Sequence, residues 1–139
     1  MYRRIRNMFV PLAALAAAVM TSACSENAGP TDIPEPGFLV ASITMPGTED
    51  RAVLVTIHGP GITGVDGGIS GYVVHYRSDP GAVRIAAFGD LRSGPLLRFR
   101  VPDARVTSKY TVQVVEVSGP QNELRDDLVA YRVELARQP

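Results

Sequence analysis

From Gly37 onward, apolar side chains recur at every second residue in short runs, and each run is cut off by glycine or proline. Successive side chains of a β-strand face opposite sides, so a run of this kind has one face to bury and one to wet. Leu97-Arg98-Phe99-Arg100-Val101 is the cleanest case, with Leu97, Phe99 and Val101 on one face and the two arginines on the other. Residues 38–44, 52–58, 72–76, 83–88, 110–117 and 129–135 are the other strand candidates. Within 110–117 the phase slips: Tyr110, Val112 and Val114 share a face, but Val115 and Val117 flank Glu116. A β-bulge near Val114-Val115 returns the later valines to the interior. The breaks include Pro46-Gly47, Gly59-Pro60-Gly61, Asp79-Pro80-Gly81, Ser93-Gly94-Pro95 and Ser118-Gly119-Pro120. Proline presets one backbone angle and cannot serve a central ladder, and glycine reaches the positive angles of tight turns. Residues 121–128 have room for one helical turn, and nothing after Gly37 has a sustained helical period. The pattern predicts an all-β fold, a single antiparallel β-sandwich over residues 37–139. Leu97, Phe99, Val101, Tyr110, Val112, Tyr131 and Val133 are expected in or against its core.

The first 36 residues read differently. Tyr2-Arg3-Arg4-Ile5-Arg6-Asn7 is basic, residues 8–23 carry no charge and are rich in alanine, and Thr21-Ser22-Ala23 precede Cys24, the single cysteine. That order of parts is a secretory signal. A membrane span needs about 20 strongly apolar residues; this run is shorter and is interrupted by Pro11. With a cysteine at the cut site, the segment resembles bacterial lipoprotein signals. The resemblance implies cleavage of residues 1–23, lipid on Cys24 and attachment of the protein to a membrane of the cell envelope. Ser25, where an aspartate often retains such proteins at the inner membrane, implies the outer membrane in a host that has one. An ordinary signal cut near Ala23 is the alternative. Residues 24–36 then form the lipidated cysteine and a flexible tether. Pro30, Pro34 and Pro36 with Glu26, Asp32 and Glu35 keep that stretch extended and solvated, with a reach of roughly 40 Å at about 3.3 Å per residue.

Cleavage removes Arg3, Arg4 and Arg6 and no acidic residue, so the mature chain carries a charge of about −3. A mildly acidic domain lacks the clustered basic surface that nucleic acid demands. With its one cysteine placed for lipid, the domain is held by its apolar core and not by disulfides.

Gly94-Pro95-Leu96-Leu97-Arg98-Phe99-Arg100-Val101, followed by Ser108-Lys109-Tyr110-Thr111-Val112-Gln113-Val114-Val115-Glu116-Val117, is similar to the late strands of cohesin-like domains. Many immunoglobulin-like sandwiches share this alternation. The resemblance implies a sandwich and, in cohesins, one that binds a protein module; it implies no binding residues here.

Groups able to do chemistry are few. His58 and His75 are the only histidines, and if their strands are neighbours they could, with Asp66 or Asp79, take a metal or small ligand. Residues 61–71 are rich in glycine but have no phosphate-loop lysine and open no helix, so they read as a flexible loop. Asp126-Asp127 is an acidic pair in a loop. Arg84, Arg98 and Arg100 form a basic stripe if their two strands are adjacent, and such a stripe suits an acidic partner. No cofactor motif is present, and no nucleophile carries the flanking residues of an active site. The composition therefore favours a non-catalytic, envelope-anchored module that binds a protein or glycan. The alternative is a small-ligand or metal-binding lipoprotein using His58 and His75.

Overall fold

A computed structural model describes residues 33–47 and 49–139. The segment expected to be a signal, Cys24 and the expected tether up to residue 32 lie outside the described residues. Eight strands follow in order: β1 (Gly37–Thr44), β2 (Ala52–His58), β3 (Thr63–Asp66), β4 (Val73–Asp79), β5 (Ala82–Phe88), β6 (Gly94–Val101), β7 (Thr111–Ser118) and β8 (Arg132–Arg137). A single 3-10 turn occupies Thr107–Lys109. The strands form two four-stranded antiparallel sheets, ordered β3-β6-β1-β8 and β4-β5-β2-β7. We call them the first and second sheet. The pairs β1·β8, β2·β7, β3·β6 and β4·β5 are nested, as in a long hairpin rolled onto itself, and β1·β6 and β2·β5 close the two sheets. Only β4 and β5 are both consecutive and paired; every other connection crosses between sheets.

This is the expected β-sandwich, with one strand more than the alternation announced. The core lies between the two inward faces. Leu39, Ala41 and Ile43 of β1, and Leu97, Phe99 and Val101 of β6, face Val53, Val55 and Ile57 of β2 and Val83, Ile85 and Ala87 of β5, all buried. Tyr110 and Tyr131 are buried as expected, and Val112 and Val133 pack against the core from partly buried positions. The bulge falls where the phase slips: Leu54 pairs with Glu116 and Val55 with Val114, leaving Val115 without a partner. Val117 is thereby turned inward and is buried. A second irregularity in β6 skips Leu96 between Ala41↔Leu97 and Ser42↔Pro95, which lets Leu96 and Leu97 both be buried.

Phe99 and Tyr110 meet edge to face at 6.1 Å, and the Tyr110 hydroxyl donates to the Pro60 carbonyl at 3.1 Å. Tyr110 lies so close to Gly59 (φ +155°) that a Cβ there would stand 2.2 Å from its ring. The turn after β2 therefore requires glycine for space and for backbone angle alike.

The chain enters the sandwich through a clamp. The buried carboxylate of Asp103 accepts from the Glu35 and Arg105 backbone N–H groups at 3.3 and 3.2 Å and from the Arg105 guanidinium at 3.0 and 3.1 Å. Chiefly through that guanidinium, its carboxyl is held well below the usual range. Ala104 N–H donates to the Glu35 carbonyl at 2.8 Å, and Glu35 also pairs with Arg137. Glu35 is thus fastened to the domain one residue inside the stretch expected to be tether.

Phe99→Ala removes a fully buried ring from the centre of the core and is expected to cost about 3–5 kcal/mol, read as a lowered midpoint of urea unfolding with little change in slope.

Candidate functional site

The first sheet's outer surface carries Arg98 and Arg100. On β6 both alternate with buried Leu97, Phe99 and Val101, so they face outward. Arg98 is not free. Its Nε and Nη2 donate to Asp66 Oδ2 at 3.0 and 2.9 Å, and its guanidinium lies 5.1 Å from the centre of the Phe38 ring. Asp66 in turn accepts from Gly68 N–H at 2.7 Å. That backbone bond, followed by Arg98, pulls the Asp66 carboxyl below its ordinary value. Arg100, opposite Thr63 of β3, is exposed.

These contacts revise the reading of residues 61–71 as a flexible loop. Residues 63–66 form β3 on the edge of the first sheet, and Asp66 ties that edge to β6. The Ser70 hydroxyl donates to the carbonyl of Gly67 at 2.9 Å or of Leu96 at 2.7 Å. A Cβ on Gly67 would meet Val74 at 2.2 Å. The glycines here permit close approach of two chain segments.

Arg84 does not join this surface. It lies on β5 in the second sheet, so the expected stripe of Arg84, Arg98 and Arg100 does not form. The alternation places Arg84 on the opposite outer face. There it stands directly across from Arg77 of β4, with Asp79 at 3.4 Å from Arg77 and 3.8 Å from Arg84. The histidines are separated too. In the second sheet β5 lies between β4 and β2; His58 pairs with Ala82, and His75 with Ala86 of the same strand. Four residues along β5 is about 13 Å at roughly 3.3 Å per residue, with two strand spacings of about 4.8 Å across. The two rings do not converge on one ion. His75 instead meets Phe88 edge on at 6.1 Å. Among the described residues, no three His, Cys, Asp or Glu side chains converge to hold a metal ion.

A polar network at one end of the sandwich escaped the sequence reading. Asp50, 2% exposed, accepts from Arg125 Nε at 2.8 Å and from the Tyr131 hydroxyl at 2.7 Å. Its backbone carbonyl accepts from Leu91 N–H at 3.0 Å. Residues 119–131 are folded onto the β1–β2 connection by these bonds. The expected turn in 121–128 is not helical: Leu124 makes a bridge to Ser118, and Asn122 takes a left-handed φ of 61°. A cleft of about 580 Å³ opens beside the network, lined by Glu49, Asp126, Asp127 and Ala130 among others. The signal available in the sequence was Asp50 itself, the second of two adjacent acids, separated from an apolar strand by Arg51 alone. Nothing in its neighbours announces partners 75 and 81 residues away.

Burial, then the bond to Asp50, pushes the Tyr131 phenol up to about 12 from 10.0. A phenol raised in the folded state stabilises the fold fully below about pH 10, and that contribution is lost as pH rises through about 12. Tyr131→Phe should flatten this alkaline fall and cost about 1–3 kcal/mol at neutral pH, because buried Asp50 loses a donor. Urea midpoints at pH 7, 9 and 11 measure both effects; equal losses at all three would contradict the linkage.

No family model, curated protein or solved structure matches this chain, so the functional reading rests on the residues themselves.

Proposed function

We propose that the chain is a lipoprotein of the cell envelope, attached through lipid on Cys24, whose sandwich is a non-catalytic recognition module for an acidic protein or glycan. The observation that carries the recognition reading is the outer face of the first sheet. Asp66 and the Phe38 ring hold the Arg98 guanidinium in one orientation, with exposed Arg100 two residues further along the same strand. An arginine already fixed by neighbours loses less side-chain freedom when a carboxylate or sulfate meets it. A cation over an aromatic ring also suits glycan and protein surfaces that present both a charge and an apolar face. The likeness of residues 94–117 to cohesin strands points the same way, since cohesins hold a protein module on a sandwich. A ligand site built on His58 and His75 lacks comparable support because β5 separates them.

Two outcomes test this reading. Cys24→Ser should move the protein from the membrane fraction to the soluble fraction or leave the signal uncleaved; unaltered processing and membrane retention would contradict the anchor. Arg100→Glu should leave the urea midpoint within about 0.5 kcal/mol of the parent, as exposed substitutions do, and weaken capture of the partner from an envelope extract at least severalfold. Arg98→Ser is the poorer probe, because it also releases Asp66 and the β3 edge.

A further inference from the structure

The outer face of the second sheet is patterned in rows, and the pattern is complementary to itself. The ladder registers place Val73, Phe88, Ala52 and Ser118 in one row across β4, β5, β2 and β7. The next row is His75, Ala86, Leu54 and Glu116, and the third is Arg77, Arg84, Thr56 and Gln113. Leu124, bridged to Ser118, extends the first row past β7. Val73, Phe88 and Leu124 are 60%, 44% and 62% exposed. Phe88, Leu124, Ala52, Leu54 and Ala86 line a groove of about 270 Å³, with Glu116 at its rim. Arginines flank this apolar middle on the β4 and β5 side, and Glu116 on the β7 side.

We infer that this face is covered by the same face of a second copy, related by a two-fold axis running along the strands. Rotation about such an axis sets β5 of one copy on β2 of the other and β4 on β7, row for row. Phe88 then enters the space above the second copy's Ala52, and Leu54 the space above its Ala86. Each large side chain meets a small one, twice over, as an isologous contact requires. Val73 faces Leu124. His75 and Arg77 face Glu116 and Gln113, which sets Arg77 one row from Glu116. Asp79 lies between Arg77 and Arg84 and leaves that flank one positive charge in excess, opposite the acidic flank of the other copy. An axis across the strands gives the reverse. It lays β4 on β4 and β7 on β7, so that acidic flank meets acidic flank, and it takes Phe88 away from Ala52. Charge and shape thus select one of the two aligned sheet packings.

The size of the face sets the strength. Four strands at about 4.8 Å by seven residues at about 3.3 Å is roughly 450 Å² of flat surface per copy, at the low end for a specific interface even with side-chain relief added. The dimer is weak when free and strong when both copies share a surface that raises their effective concentration. The chosen axis leaves Gly37 of both copies at the same end, as attachment to one bilayer requires; this point and the gain in effective concentration rest on the lipid-anchor reading.

The test uses the full chain in its host envelope, with a photo-crosslinking phenylalanine analogue at position 88 and two differently tagged copies. Illumination is expected to give a band of twice the chain mass that carries both tags. Glu116→Arg alone and Arg77→Glu alone should each remove most of that band, and the two together in one chain should restore it. Restoration separates loss of registry from loss of folding, since neither substitution repairs the other within a single copy. The inference is overturned by absence of the doubly tagged band, by crosslinking only to a different protein, or by single reversals that have no effect or are not rescued in combination. Fractionation of the same cells separates the two readings: a chain in the membrane fraction without the band overturns the dimer face, whereas a chain in the soluble fraction overturns the anchor, and the doubly tagged band is then required of the purified chain at high concentration.

Discussion

The contact between the two inward faces, centred on Phe99, is what the rest of this domain depends on. The inward faces of the two sheets hold most of the buried apolar side chains, and almost every connection crosses from one sheet to the other. The only cysteine lies outside the domain, so no covalent tie assists. Side chains from β1 and β6 interdigitate with those from β2 and β5, and Tyr110 closes the layer by meeting Phe99 edge on. The surface features described above are held at fixed positions because this layer is.

Much of this could be read from the chain, for a definite reason. Where one face of a strand is buried, a one-residue slip exposes every apolar group, so the alternation itself carries the register. Leu97, Phe99 and Val101 announce their burial in that way, and even the bulge at Val115 is visible as a slip of phase. β3 is not visible, because four residues of Thr-Gly-Val-Asp have no alternation to show; a salt bridge to Arg98 and the close packing of Gly67 hold them in place. Tyr131 is legible as core but Val129, counted with it, is 84% exposed in a turn. Alternation says which faces a residue points to, not where a strand begins.

What the chain could not show is which strands share a sheet. Arg84 alternates as cleanly as Arg98 and Arg100, but a crossing connection sends β5 and β6 to opposite sheets. Likewise, one intervening strand is enough to part His58 from His75. Asp50 is the same problem at longer range: its burial depends on Arg125 and Tyr131, brought to it only after β7 and β8 have been placed. The two outer faces consequently differ in kind. The first sheet presents guanidinium groups beside an aromatic ring, and the second alternates large with small apolar groups between flanks of opposite charge.

The clamp at Glu35 has a mechanical consequence. Asp103 and Arg137 fasten the chain just before β1, and β1 lies inside its sheet with ladders to β6 on one side and β8 on the other. A pull arriving from the N-terminal side is therefore applied along β1 and not at a free edge. To yield, both ladders must slide together instead of opening one hydrogen bond at a time. An edge strand in the same position would unzip under a much smaller force, so the order β3-β6-β1-β8 gives the segment at Glu35 a hold on the fold that resists tension.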